Sequence, residues 1–365
     1  MRRKILNIQA LRGIAILLVL AYHLLRLEEK FSPAGRFLPS FMRFGASGVD
    51  LFFVISGFVM ATVIRGCFQD RNRITAFLYH RFTRIYPLYW FYTLVVLGVF
   101  AVRPQWVNSS QGHQFDLFSS VLLLPDERLP LVMVGWSLIY EVYFYLMIAL
   151  LLCLPEKWFV RSCGLWAGTI AGAGLLQHYG GLTPVRPFFQ LISSPMTIEF
   201  IAGCFTALIV YSGRTSWGRI SLAAGLVLFP GLTAYLGSYA PEATLGWLRT
   251  AVFGGPSVLL VYGVSALELK CNLILPRVFR WIGDISYSMY LSHLLVLAAV
   301  GRLWLIFSVP VLWDNLFFLA AAASLAVGAA YFSYRFIETP LLNWTRGVKR
   351  NNFSSFSSAT CPMSS

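Results

Sequence analysis

Charge is scarce in this sequence. Only 12% of its 365 residues are Asp, Glu, Lys or Arg, against about 25% in a soluble globular domain. Acidic residues are scarcer still, 15 against 29 basic ones. No stretch is polar enough to stand as a separate soluble domain, so a soluble enzyme is excluded. Several chemical signatures are also missing. There is no glycine-rich phosphate loop, dinucleotide fingerprint, HExxH helix or GxSxG elbow. The six cysteines show no CxxC pairing. Most lie in or beside apolar segments and read as buried thiols, which argues against a disulfide frame or a zinc site. The first apolar run lacks a small-residue cleavage site and is interrupted by Tyr22-His23, so it does not read as a secretory signal.

Hydrophobic residues, by contrast, make up 58% of the chain, and mean hydropathy is +0.68. The fold class that follows is all-α, a polytopic membrane bundle, because helices satisfy their own backbone in lipid. Ten spans are expected, near 6–26, 46–65, 85–102, 131–154, 159–178, 195–212, 219–237, 250–267, 285–306 and 312–334. With the N-terminus cytoplasmic, the inside loops hold nineteen of the 29 Lys and Arg and the outside loops eight. The bias places both termini inside, and the excess of positive charge then serves topology and membrane lipids, not nucleic acid. Residues 1–345 form the transmembrane domain. Residues 346–365, rich in Ser and Asn, read as a disordered cytoplasmic tail.

The first span carries Arg12 and His23. Eleven residues at about 100° each is about 20° from three full turns, so both lie on one helical face, roughly 16 Å apart along the axis. Arg12 has two readings, snorkelling to the cytoplasmic headgroups or pairing with a partner or a phosphate inside the bundle. His23 is either a hydrogen-bonded core or rim histidine, or a general base. Asp50, in Gly48-Val-Asp50-Leu-Phe-Phe-Val-Ile-Ser56-Gly57-Phe58, needs a partner just inside a span and could orient His23 or pair with an arginine. Ser56-Gly57 suits close helix packing.

The inside loop 66–84 is dense in arginine. It serves either topology or phosphate binding, for which the planar guanidinium fork is suited. On a helix Arg81 and Arg84 would share a face. The run 115–124 is too short to span and either lies at the interface or re-enters. Trp136, Ser137 and Glu141 open the fourth span. Ser137 and Glu141 share a face, Trp136 suits an interfacial anchor, and Glu141 could fix an imidazole tautomer or accept a substrate hydroxyl. Glu199 is a second intramembrane carboxylate without surrounding pattern. Ser286, Tyr290 and His293 form one polar stripe, which reads as interhelical hydrogen bonding or as site lining. Arg335 and Glu338 are expected to pair locally.

Arg12 and His23 with ten residues between them, Gly48–Phe58, Arg81-Phe-Thr-Arg84-Ile-Tyr-Pro87, Trp136-Ser-Leu-Ile-Tyr-Glu141-Val-Tyr-Phe-Tyr145, Ser286-Tyr-Ser-Met-Tyr-Leu-Ser-His293 and Phe336-Ile-Glu-Thr-Pro340 follow one another along nearly the whole chain. This set resembles the membrane acyltransferase-3 family, which includes bacterial O-antigen, exopolysaccharide and nodulation-factor O-acetyltransferases. The resemblance implies O-acylation of a polysaccharide or lipid-linked oligosaccharide, usually with cytoplasmic acetyl-CoA as acyl donor and no metal, in the bacterial inner membrane. It implies that His23 is the catalytic histidine with Arg12 its essential companion, that Arg81 and Arg84 contact the coenzyme, and that Trp136 and Glu141 line the site. Asp50 is kept as a second carboxylate for the imidazole, and Ser137, Tyr290 and His293 as substrate-side residues. Some relatives add an extracytoplasmic hydrolase-like domain. Here a second catalytic domain is expected to be a separate partner or absent. Direct transfer and an acetyl-histidine intermediate both remain open, as do acetyl and succinyl or larger acyl groups. The competing class is an exporter of glycans or lipid-linked sugars, against which the lack of an inverted repeat counts.

Overall fold

In the computed structural model, residues 5–33, 35–180, 186–237 and 246–352 are described, and among them there is no strand. The helices are α1 (Leu6–Phe31), α2 (Gly48–Val63), α3 (Arg71–Val102), α4 (Leu117–Leu122), α5 (Gly135–Leu152), α6 (Phe159–Gly180), α7 (Pro187–Ile192) and α8 (Met196–Tyr211). They continue with α9 (Gly218–Gly237), α10 (Gly246–Arg249), α11 (Gly255–Cys271), α12 (Arg277–Asp284), α13 (Ser286–Phe307), α14 (Leu312–Ser333) and α15 (Thr339–Asn352). Among the described residues, nine helical stretches are long and apolar enough to cross a membrane. The remaining expected span, 219–237, falls on α9, whose apolar run counts as Gly218–Leu232. The chain is a multi-pass all-α membrane protein. The end of the expected tail, 353–365, lies outside the described residues, and α15 runs to Asn352.

The chain divides into two compact units, residues 1–58 with 202–333 and residues 59–201 with 334–365. In the first unit α1 is the axis. Its opening N–H groups are among those every helix leaves unsatisfied. Here Glu268 at the end of α11 takes them, Oε1 accepting from Leu6 N at 2.8 Å and Oε2 from Asn7 N at 2.8 Å. Asn7 then donates to the Leu273 carbonyl at 2.7 Å and accepts from Leu275 N at 2.8 Å. Toward the other end, Glu28 accepts from Phe37 N, Leu38 N and Asn315 Nδ2 at 2.7, 2.9 and 2.6 Å. Glu268 and Glu28 are both buried, and neither drew attention in the sequence because each lies outside any motif.

The rotation of α1 is fixed by close backbone approach. A Cβ on Gly13 would strike the Phe279 carbonyl, and one on Gly283 would strike the Gln9 carbonyl, so α1 and α12 cross where both lack side chains. In the 3₁₀ turn Ser40–Ser47, a Cβ on Gly45 would strike the Leu18 carbonyl of α1. α13 follows α1 level by level: His293 meets His23, and Gly301 lies under the Phe31 ring. The two helices therefore run parallel.

In the second unit, α3 begins at Arg71, earlier than the span expected at 85–102. Asp70 caps it, accepting from Asn72 N and Arg73 N at 3.0 and 3.1 Å. The arginine-rich segment read as a loop is largely the first half of this helix, because a good N-cap and helix-forming residues outweigh local polarity. The run 115–124 forms the short helix α4. The α3 side chains Tyr89, Trp90 and Tyr86 donate to the carbonyls of Ser120, Val121 and Leu122 at 2.7, 2.9 and 2.9 Å. Of these, the Val121 and Leu122 carbonyls belong to the end of the helix, where the backbone ladder runs out.

Two smaller expectations are corrected. Of the described cysteines Cys67, Cys163 and Cys204 are buried, but Cys153 and Cys271, at helix ends, are exposed; all five are free. Cys361 lies outside the described residues. Arg335 and Glu338 fall in the π-turn Tyr334–Glu338, whose wider winding takes residues three apart off the common face that a local pair was expected to use.

Candidate active site

In the first unit, α1 carries His23 to a position beside α13. The imidazoles of His23 and His293 lie 4.9 Å apart between centroids, tilted by 52°. Tyr290, one turn before His293, stands 6.0 Å from it, and Phe52 of α2 is 6.3 Å from Tyr290. Of the stripe Ser286, Tyr290 and His293, all three are buried. His23 itself is half-buried, as is Arg12, three turns earlier on the same face. The structure thus brings together His23, His293 and Tyr290.

Asp50 lies in the first turn of α2, where the helix dipole favours a carboxylate. It is only 1% exposed, and its oxygens are held by Arg249. Nε meets Oδ1 at 3.0 Å and Nη2 meets Oδ2 at 2.8 Å. Of the two partners open to Asp50, an arginine is the one that holds it. In the sequence Arg249 is one more loop cation beside the eighth span. Its place at the end of α10, immediately before the π-turn Thr250–Gly254, gives no sequence signal.

Glu141 belongs to the second unit, together with Arg81 and Arg84. Tyr145, one turn after Glu141 on α5, donates its hydroxyl to Glu141 Oε1 at 2.5 Å. The buried Arg81 guanidinium lies over the Tyr145 ring at 5.9 Å and over the Phe77 ring at 5.7 Å. Arg84 and Glu141 are both within its electrostatic reach. Ser137 is buried, and its hydroxyl donates at 3.3 Å to the Val134 carbonyl in the preceding turn. Trp136 stands 6.1 Å from Tyr140 and is half-buried. Glu199 is buried in the first turn of α8. Among the described residues no group of three or more His, Cys, Asp or Glu could hold a metal ion.

The first unit thus holds a histidine pair, and the second an arginine–tyrosine–glutamate cluster. A family model described as an acyltransferase domain matches residues 5–335, and the chain belongs to that family, the membrane acyltransferase-3 family. It is an O-acyltransferase, and the transporter reading is set aside. The chain is 32% identical over 306 residues to the exopolysaccharide production protein ExoZ of Rhizobium meliloti (strain 1021), covering 82% of this chain and 90% of that one. It is 26% identical to the peptidoglycan O-acetyltransferase OatA of Listeria monocytogenes over 96% of its own length, and spans 59% of OatA. To the acyltransferase MdmB of Streptomyces mycarofaciens it is 27% identical, covering 81% of this chain and 80% of MdmB. No solved structure matches it.

Proposed function

We propose that the chain, through its transmembrane domain of residues 1–345, moves an acetyl or similar short acyl group from cytoplasmic acyl-CoA to a hydroxyl of a surface or exported glycan, with His23 as general base. The setting is the bacterial inner membrane with both termini cytoplasmic. The observation that carries the reading is the half-buried His23, packed against His293 and three turns along one face from Arg12. Relatives whose names state exopolysaccharide production and peptidoglycan O-acetylation supply the acceptor class.

In this scheme His23 takes the proton of the acceptor hydroxyl as its oxygen attacks the thioester carbonyl. The new C–O bond forms, the C–S bond breaks, and the proton passes to the leaving thiolate. A base so placed contributes about 10²–10⁴ in rate. Within the first unit Arg12 is the cation companion of His23. Within the second, Arg81 and Arg84 are guanidinium groups suited to the phosphates of the coenzyme. Glu141, Trp136 and Ser137 belong to the substrate-facing set of that unit, and Tyr290 to that of the first.

Donor and direction are tested together with sealed membrane vesicles and acetyl-CoA labelled in the acetyl group. Label enters extractable glycan in inside-out vesicles, where the coenzyme meets the cytoplasmic face, and not in right-side-out ones. Equal labelling of both orientations contradicts the direction, and no labelling in either contradicts the donor.

A further inference from the structure

His293 is buried behind His23, with no side-chain exposure. Its Nδ1 lies 2.9 Å from the Met289 carbonyl one turn earlier on α13. A carbonyl oxygen can only accept, so this contact places the His293 proton on Nδ1 and leaves Nε2 with a lone pair. That nitrogen is buried and has no hydrogen-bond partner among the described residues. A buried acceptor left without a donor is costly and needs a reason. The nearest titratable ring is that of His23, at 4.9 Å between centroids. Asp50, the other candidate to steady the imidazole, has both oxygens engaged by Arg249. The rings of Tyr290 and Tyr22 flank the pair, Tyr290 at 6.0 Å from His293 and Tyr22 at 4.9 Å from His23.

We propose that His293 is a positioning residue for His23. Its Nε2 accepts a hydrogen bond from one N–H of the His23 ring, so the other nitrogen of His23 presents its lone pair to the acceptor hydroxyl. The bond forms by rotation of the half-buried His23 side chain against a fixed partner. When His23 takes the hydroxyl proton, the resulting imidazolium keeps its inward N–H on the neutral His293. The proton then leaves on the thiolate and the pair is restored. A neutral imidazole here fills the orienting place that a carboxylate fills in a catalytic triad. The proposal rests on the reading of His23 as the base.

The test uses membranes containing the full chain and labelled acetyl-CoA as probe, with transfer to endogenous glycan normalised to folded protein. Two polar variants differ in where their acceptor stands. His293→Gln carries an amide oxygen to the position of Nε2, whereas His293→Asn reaches only the position of Nδ1. His293→Asn is expected to lower maximal transfer by about 10–100-fold, the effect typical of outer-shell orienting partners. The apparent KM for acetyl-CoA should be unchanged, and His293→Gln should recover most of the rate. Equal rates in His293→Asn and wild type, with His23→Ala inactive, overturn the positioning role and leave the base intact. Equal loss in His293→Gln and His293→Asn also overturns it, because packing alone would then account for both. An active His23→Ala overturns the reading of the base itself.

Discussion

Asp50 and Arg249 form a buried bidentate pair. Removing one member of such a pair strands a charge and costs about 3–5 kcal/mol, whereas replacing both by apolar groups is often close to neutral. Arg249→Leu is therefore expected to lower the unfolding temperature in detergent sharply, and Asp50→Leu with Arg249→Leu less than the sum of the two single changes. Additive losses in that double-mutant cycle would show that the two side chains act independently. Arg12, His23 and Asp50 were visible in the sequence because a charged or titratable group inside an apolar span stands out. Arg249 was not, since its segment reads as an ordinary boundary cation, and its partner lies about two hundred positions away. His293 was visible as part of a stripe, but not as the neighbour of His23, because only the parallel packing of α1 and α13 brings the two to one level.

At the scale of elements, α1 is secured at its start by Glu268 and along its length by the crossing at Gly13 and Gly283. Glu268→Ala removes the acceptor for two orphan N–H groups and should cost about 0.5–2 kcal/mol, the worth of a helix N-cap. Gly13→Val overpacks the crossing and should cost about 1–3 kcal/mol. Thermal unfolding of both variants in the same detergent checks these magnitudes, and a Gly13→Val protein as stable as the parent would contradict the crossing. Periodicity and hydropathy located the long apolar helices well, since a membrane leaves the backbone few alternatives. They failed at α3, where the polar first half hid a helix continuous from Arg71, and were silent on the helical form of α4, whose last carbonyls Tyr86, Tyr89 and Trp90 reach. Neither depends on hydrophobic pattern.

For the whole molecule, the proposed topology with both ends in the cytoplasm rests on the excess of Lys and Arg on one side of the ten expected spans. A fluorescent reporter fused to either terminus should fold and emit, and a periplasm-dependent phosphatase at either should be inactive. One active phosphatase fusion would contradict the topology. The account as a whole stands on the histidine of the first helix. Its most direct measurement is the base-labile acyl content of the glycan made by cells that lack the gene and are complemented with wild type or with His23→Ala at equal membrane levels. The account predicts acylation restored by wild type and reduced by about 10²-fold or more in His23→Ala, the range of a lost general base. Full acylation with His23→Ala would contradict it.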